Sequence, residues 1–131
     1  MRRAMSASAK LFLAIGAVAM LAAVALGAFG AHALKSRIAP DLLAVYHTGV
    51  EYHFYHALGL LIVGLAAQHL PDSNWLRASG CLMLAGILIF SGSLYLLALT
   101  GVRAFGAVTP IGGIAFMLAW MMFAVAVVKS R

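Results

Sequence analysis

Charge is what this chain has least of. Charged residues fill 9% of its 131 positions, and three of them are acidic: Asp41, Glu51 and Asp72. A soluble domain of this length carries about a quarter. With 65% hydrophobic residues, so few charges cannot cover a water-facing surface. A soluble globular protein is excluded, and an integral membrane protein is left. The single cysteine, Cys81, rules out an intrachain disulfide and any two-cysteine zinc or redox motif. Set in an apolar run, it is expected to pack as a small hydrophobe. No nucleophile–base pair and no phosphate-binding glycine loop is visible, so an enzyme is not expected.

What charge there is runs to one sign, +6 in total. Arg2, Arg3, Lys10, Lys35, Arg37, Arg77, Arg103, Lys129 and Arg131 stand at the ends of apolar segments. That layout serves membrane topology and lipid headgroups, not a nucleic-acid backbone. Membrane lipids are the expected partners, and nucleic acid is not.

Four apolar runs are present, approximately 11–33, 50–69, 75–99 and 107–128. Each reaches the ~20 residues that a helix needs to cross ~30 Å of hydrocarbon. The runs are continuous, not alternating, which argues against barrel strands. The expected architecture is all-α: a single-domain integral membrane four-helix bundle. The opening M-R-R-A-M-S-A-S-A-K, an apolar stretch and then A-H-A resemble a secretory signal, but the apolar run is longer than the 7–15 residues of a signal core. An uncleaved first span is expected. With the N-terminus inside, Arg2, Arg3, Lys10, Arg77, Lys129 and Arg131 share the inner side, against Lys35, Arg37 and Arg103 outside. This bias places both termini in the cytoplasm.

Ala19, Ala23, Gly27 and Ala31 form a small-xxx-small row in span one, suited to close helix contact. In T-P-I-G-G (109–113), Pro110 fits the first turn of a helix, and Gly112 and Gly113 serve a close contact or a local break. Pro40 and Asp41 are helix-start residues. A helix running on to His69 would be ~43 Å long at 1.5 Å per residue, more than the membrane requires. A short interfacial helix, approximately 41–48, bending at Gly49 into span two, is therefore expected.

Span two opens on T-G-V-E-Y-H-F-Y-H-A-L (48–58), the one polar cluster in the chain. On a helix, His47, Glu51 and Tyr55 share one face, while Tyr52, His53 and His56 gather roughly 140° away. The histidines do not bracket a glutamate as H-E-x-x-H does, so one helix alone supplies no metal cage. Counted back from His69, Glu51 lies at the outer boundary and His56 ~8–9 Å deeper. His56 therefore needs a hydrogen-bond partner inside the bundle. Ser91, Ser93 and Tyr95 in span three are available to it; otherwise they bond to their own backbone. Tyr46, Tyr52 and Tyr55 read as an interfacial aromatic belt, and the histidines as neutral hydrogen-bonders between helices. A ligand, metal or haem site or a proton or ion path centred on His56 remains open, because ionisable groups at membrane depth are functional candidates. His32 and His69 fall at opposite ends and read as boundary residues.

Four blocks stand out together: G-A-F-G-A-H-A-L (27–34), T-G-V-E-Y-H-F-Y-H-A-L (48–58), F-S-G-S-L-Y (90–95) and T-P-I-G-G (109–113). In order and spacing they resemble the domain of unknown function 423 family, the YgdD-type bacterial inner-membrane proteins and the related animal transmembrane protein 256. The resemblance covers nearly the whole chain. It implies a four-helix bacterial inner-membrane protein with no established biochemical activity; no cofactor is expected of the chain, with metal or haem at His56 left open as above. The family pattern T-G-x-x-Y-x-x-aromatic-H is matched by Thr48, Gly49, Tyr52, Tyr55 and His56. His47 and His53 fall at its variable positions, and His32 lies in the first block. Thr109 and Pro110 open the fourth. The expected role is a structural or accessory component that packs with itself, as a homo-oligomer, or with a larger inner-membrane complex.

Overall fold

The computed structural model describes residues 4–130. Arg2, Arg3 and Arg131, part of the charge bias above, lie outside the described residues. Ser6 starts the first helix by accepting a hydrogen bond from the Ala9 amide, the usual work of an N-cap hydroxyl. Helix α1 runs Ala7–Phe29 and continues as a π-wound segment, Gly30–Leu34. Helix α2 runs Pro40–His69, with Pro40 and Asp41 in its first turn, where a missing N–H and a negative charge both suit the helix end. Ser73 caps α3, Asn74–Gly86. A second π-wound segment, Ile87–Ser91, joins α3 to α4, Gly92–Thr100. Gly101, at φ +71°, stops α4 in the left-handed conformation that glycine adopts freely. A 3-10 turn, Arg103–Ala107, leads into α5, Thr109–Val128, with Pro110 in its first turn.

The result is four membrane-length apolar segments: Ala7–Leu34, Pro40–His69, Asn74–Thr100 and Arg103–Val128. The all-α, four-span architecture read from the sequence stands. The start of the second span is corrected. Residues 41–48 are not a separate interfacial helix but the first turns of α2, which passes through Gly49 without a break. Gly49 is buried against Tyr95 and Leu94, so its missing side chain serves packing and no bend is needed.

Helix α2 is the hub. Helix α1 packs along it, the third span packs on its other side, and α5 lies chiefly against α3 and the π segment. Close approach comes from glycines. A Cβ on Gly16 would stand 2.9 Å from the Leu61 amide nitrogen, and one on Gly64 2.8 Å from that of Leu13. The seam of α1 therefore runs Gly16, Ala23 and Gly30, all buried. Of the small row expected, Ala23 is buried and Gly27 meets Val50 and Phe54, whereas Ala31 is exposed. Gly112 lies directly on the backbone of Phe90, so it is a close helix contact and not a break. Ser79 adds a polar pin, its hydroxyl donating to the Ala119 carbonyl at 2.7 Å. Cys81 is exposed, not packed inside as expected. A thiol is apolar enough to face acyl chains.

Candidate functional site

The polar residues of α2 divide as the helical wheel requires. Glu51 and Tyr55 are exposed, and the Tyr55 hydroxyl donates to Glu51 Oε1 at 3.2 Å. His47 is exposed on the same face, and Thr48 bonds back to the Ala44 carbonyl at 3.2 Å. His53 and His56 are buried, 5% and 4% exposed.

His56 is bonded on both sides. Its Nδ1 lies 2.7 Å from the Tyr52 carbonyl, one turn back. A carbonyl only accepts, so Nδ1 carries the proton. Its Nε2 accepts from the Trp120 indole N–H of α5 at 3.1 Å. The ring of Phe116 stacks on the imidazole, centroids 3.4 Å apart and planes 8° from parallel. Tyr52 and Phe90 extend the aromatic contact, 4.7 Å between centroids. His56 is thus a neutral imidazole with no free lone pair, held between two spans. Among the described residues, no group of three His, Cys, Asp or Glu side chains is placed to hold a metal ion.

His53 makes a different connection. Its Nδ1 lies 2.9 Å from the hydroxyl of Tyr95. The ring of Tyr95 is 5.2 Å from that of Tyr46, and Tyr46 donates to the Leu26 carbonyl of α1. Tyr46 is fully buried, which removes it from the aromatic belt expected of it. A ring lodged against Gly30, which has no Cβ to oppose it, reaches an acceptor inside the bundle.

The third span therefore serves His53, not His56. Tyr95 goes to His53. Ser93 donates to the Phe90 carbonyl at 2.9 Å and pairs with Thr109 Oγ1 at 2.6 Å. The Ser91 hydroxyl is buried in the π-wound segment with no hydrogen-bond partner among the described residues. Pro110 adds a turn start and no polar contact. His32 and His69 are exposed at opposite ends of the bundle, as boundary residues. Trp120 and Phe116 are the residues that sequence reasoning missed. A signal was available: a tryptophan in mid-span, away from the interfacial belts where tryptophan concentrates, has an N–H that needs an acceptor.

The profile described as "Protein of unknown function (DUF423)" matches residues 26–113. The chain belongs to the DUF423 family. It is 51% identical to the UPF0382 membrane protein YwdK of Bacillus subtilis over 120 residues, 92% of this chain and 98% of that one. It is 43% identical to the UPF0382 membrane protein SAB0533 of Staphylococcus aureus over 121 residues, 92% of this chain and 97% of the relative. No solved structure matches it. The matched region of this DUF423 protein holds the whole of α2, Tyr95 and Pro110 but stops before Phe116 and Trp120. It is a membrane protein of no established activity.

Proposed function

We propose that this protein is a small accessory component of the bacterial inner (cytoplasmic) membrane, acting by packing with a second copy or with a larger membrane complex. The observation that carries this reading is the state of α1. It rests on α2 almost alone, and Ala17, Leu21, Ala25 and Ala28 leave one exposed face of mostly small residues. Such a face lets a further helix approach closely. The polar cluster supports the reading from the other side. Trp120 and the Tyr52 carbonyl occupy both nitrogens of His56, so the alternatives centred on that ring find no open valence there.

Both termini are assigned to the cytoplasm. Among the described residues the two ends are balanced, Lys10, Arg77 and Lys129 against Lys35, Arg37 and Arg103. The excess comes from Arg2, Arg3 and Arg131. Purification in mild detergent with mass determination tests the packing role. A dimer, a higher oligomer or a co-purifying membrane complex is expected; a strictly monomeric, partner-free species overturns it. Reporter fusions at each terminus test the orientation.

A further inference from the structure

The groove between α1 and the third span, about 380 Å³ with His53 in its lining, presents only apolar surface and selects no occupant. The outer face of α2 is different. Glu51, Tyr55, Leu58, Ile62 and Leu65 are exposed along it, at alternating spacings of four and three residues. That spacing keeps one straight seam on a helix, the kind onto which a second helix packs along its length. Neither α1 nor the third span, the elements that pack chiefly on α2, covers this seam.

One member of the seam is a carboxylate. Counted along α2 alone, Glu51 stands at the edge of the span, but its neighbours set it deeper. Gly27 of α1 packs on Val50 and Phe54, and Gly49 packs on Leu94 and Tyr95. Glu51 is therefore level with Gly27 and with Ser93. Exposed apolar residues continue past that level to Ala31 on α1 and Leu99 on α4, ~6 Å and ~9 Å farther out. Lys35, the first lysine beyond, is ~12 Å away along α1. Ionisable side chains at membrane depth ordinarily face a bundle interior, where a partner group meets them. Glu51 faces outward, and its one hydrogen bond among the described residues comes from the Tyr55 hydroxyl at 3.2 Å. A carboxylate accepts several donors, so its outward side is left for another group.

Whatever covers the seam has to bring a cation to that depth. A second copy does not. Among the described residues every lysine and arginine stands at a segment end. A two-fold axis along the membrane normal would set two Glu51 carboxylates against each other, a juxtaposition that costs affinity. We infer that the outer face of α2 docks a membrane-spanning helix of a different protein, one carrying a lysine or arginine within its span at the depth of Glu51. The inference rests on the accessory role proposed above and divides its two contacts. Self-pairing belongs to the small-residue face of α1, and the larger complex to α2.

The test uses the full chain in phosphatidylcholine vesicles, with a donor dye on Cys81, which is exposed on α3. Leucine-rich single-span peptides carry the acceptor dye. One has a lysine at the depth of Glu51, a second has leucine there, and a third has glutamate. Energy transfer is expected to show the lysine peptide binding about tenfold more tightly than the leucine peptide, the worth of one charge-assisted hydrogen bond. Glu51→Gln, which keeps an acceptor for Tyr55, should bring the lysine peptide down to the leucine level. Glu51→Lys should reverse the preference, toward the glutamate peptide. Equal binding of the three peptides to the unmodified chain, or a lysine preference that survives Glu51→Gln, overturns the inference. If the peptides show no preference while the purified protein still runs as an oligomer or complex, the α2 contact falls and the accessory role stands.

Discussion

His53 and His56 stand three residues apart on one helix, about 60° apart around its axis, and they do different work. His56 is closed in. Phe116 covers its face, Trp120 takes Nε2 and the Tyr52 carbonyl takes the Nδ1 proton. His53 pairs with the Tyr95 hydroxyl of the third span, meets the Ala19 backbone of α1, and lines a groove that opens toward the surroundings. Residue type and depth are nearly the same for both. The neighbours differ: a bulky aromatic helix packed tightly on one side, and two diverging helices on the other. What a buried histidine does is therefore set by the helices around it: His56 is stacked under a ring of α5, and His53 ties α1 to the third span beside a groove.

The sharpest way to break the comparison is His56→Ala. It removes the stack with Phe116 and leaves the Trp120 N–H without an acceptor, a combined cavity and hydrogen-bond loss of ~3 kcal/mol. Thermal unfolding in detergent should show the largest drop of the series. Trp120→Phe comes next. It keeps the aromatic bulk but strands Nε2, and a loss of ~1–2 kcal/mol is expected in the same assay. Near-equal stability of Trp120→Phe and the unmodified chain would mean that the indole bond holds nothing.

Tyr95→Phe should cost less, ~0.6–1.5 kcal/mol, the usual worth of a hydrogen bond within a membrane bundle. His53 keeps the Ala19 backbone as a partner when the Tyr95 hydroxyl is removed, whereas the Nε2 of His56 has no second donor beside it under Phe116. A larger loss for Tyr95→Phe than for Trp120→Phe would reverse the ranking and with it the distinction between closed and open sites. The smallest effect is expected from Glu51→Gln. The side chain is exposed and, among the described residues, bonded to Tyr55, four residues along, so melting temperature should not change measurably.

Much of this was legible in the chain itself. Spacing alone separated Glu51 and Tyr55 from His53 and His56, because a helix turns 100° per residue whatever surrounds it. The need of His56 for a partner followed from the cost of a bare polar group in hydrocarbon. Its partner did not follow. Nothing local distinguishes Ser91, Ser93, Tyr95 and Trp120 as acceptors or donors for a ring on another helix, and the third span was the natural guess because it holds three of them. Tyr46 was misread for the same reason. An interfacial tyrosine and one tucked against Gly30 have the same neighbours in sequence.

The sequence by itself determined that the chain has four apolar segments of membrane length, and which face of α2 is polar. Hydrophobic run length and helical periodicity are properties of short stretches, and short stretches decide them. Only the tertiary structure decided that α2 runs unbroken through Gly49, that Trp120 closes over His56 while Tyr95 reaches His53, and that α1 and the third span part to leave a groove. Those outcomes depend on how glycines at Gly16, Gly64 and Gly112 set the distance and register of neighbouring helices. Contacts between residues more than 40 positions apart are fixed by that register, and no single segment encodes it.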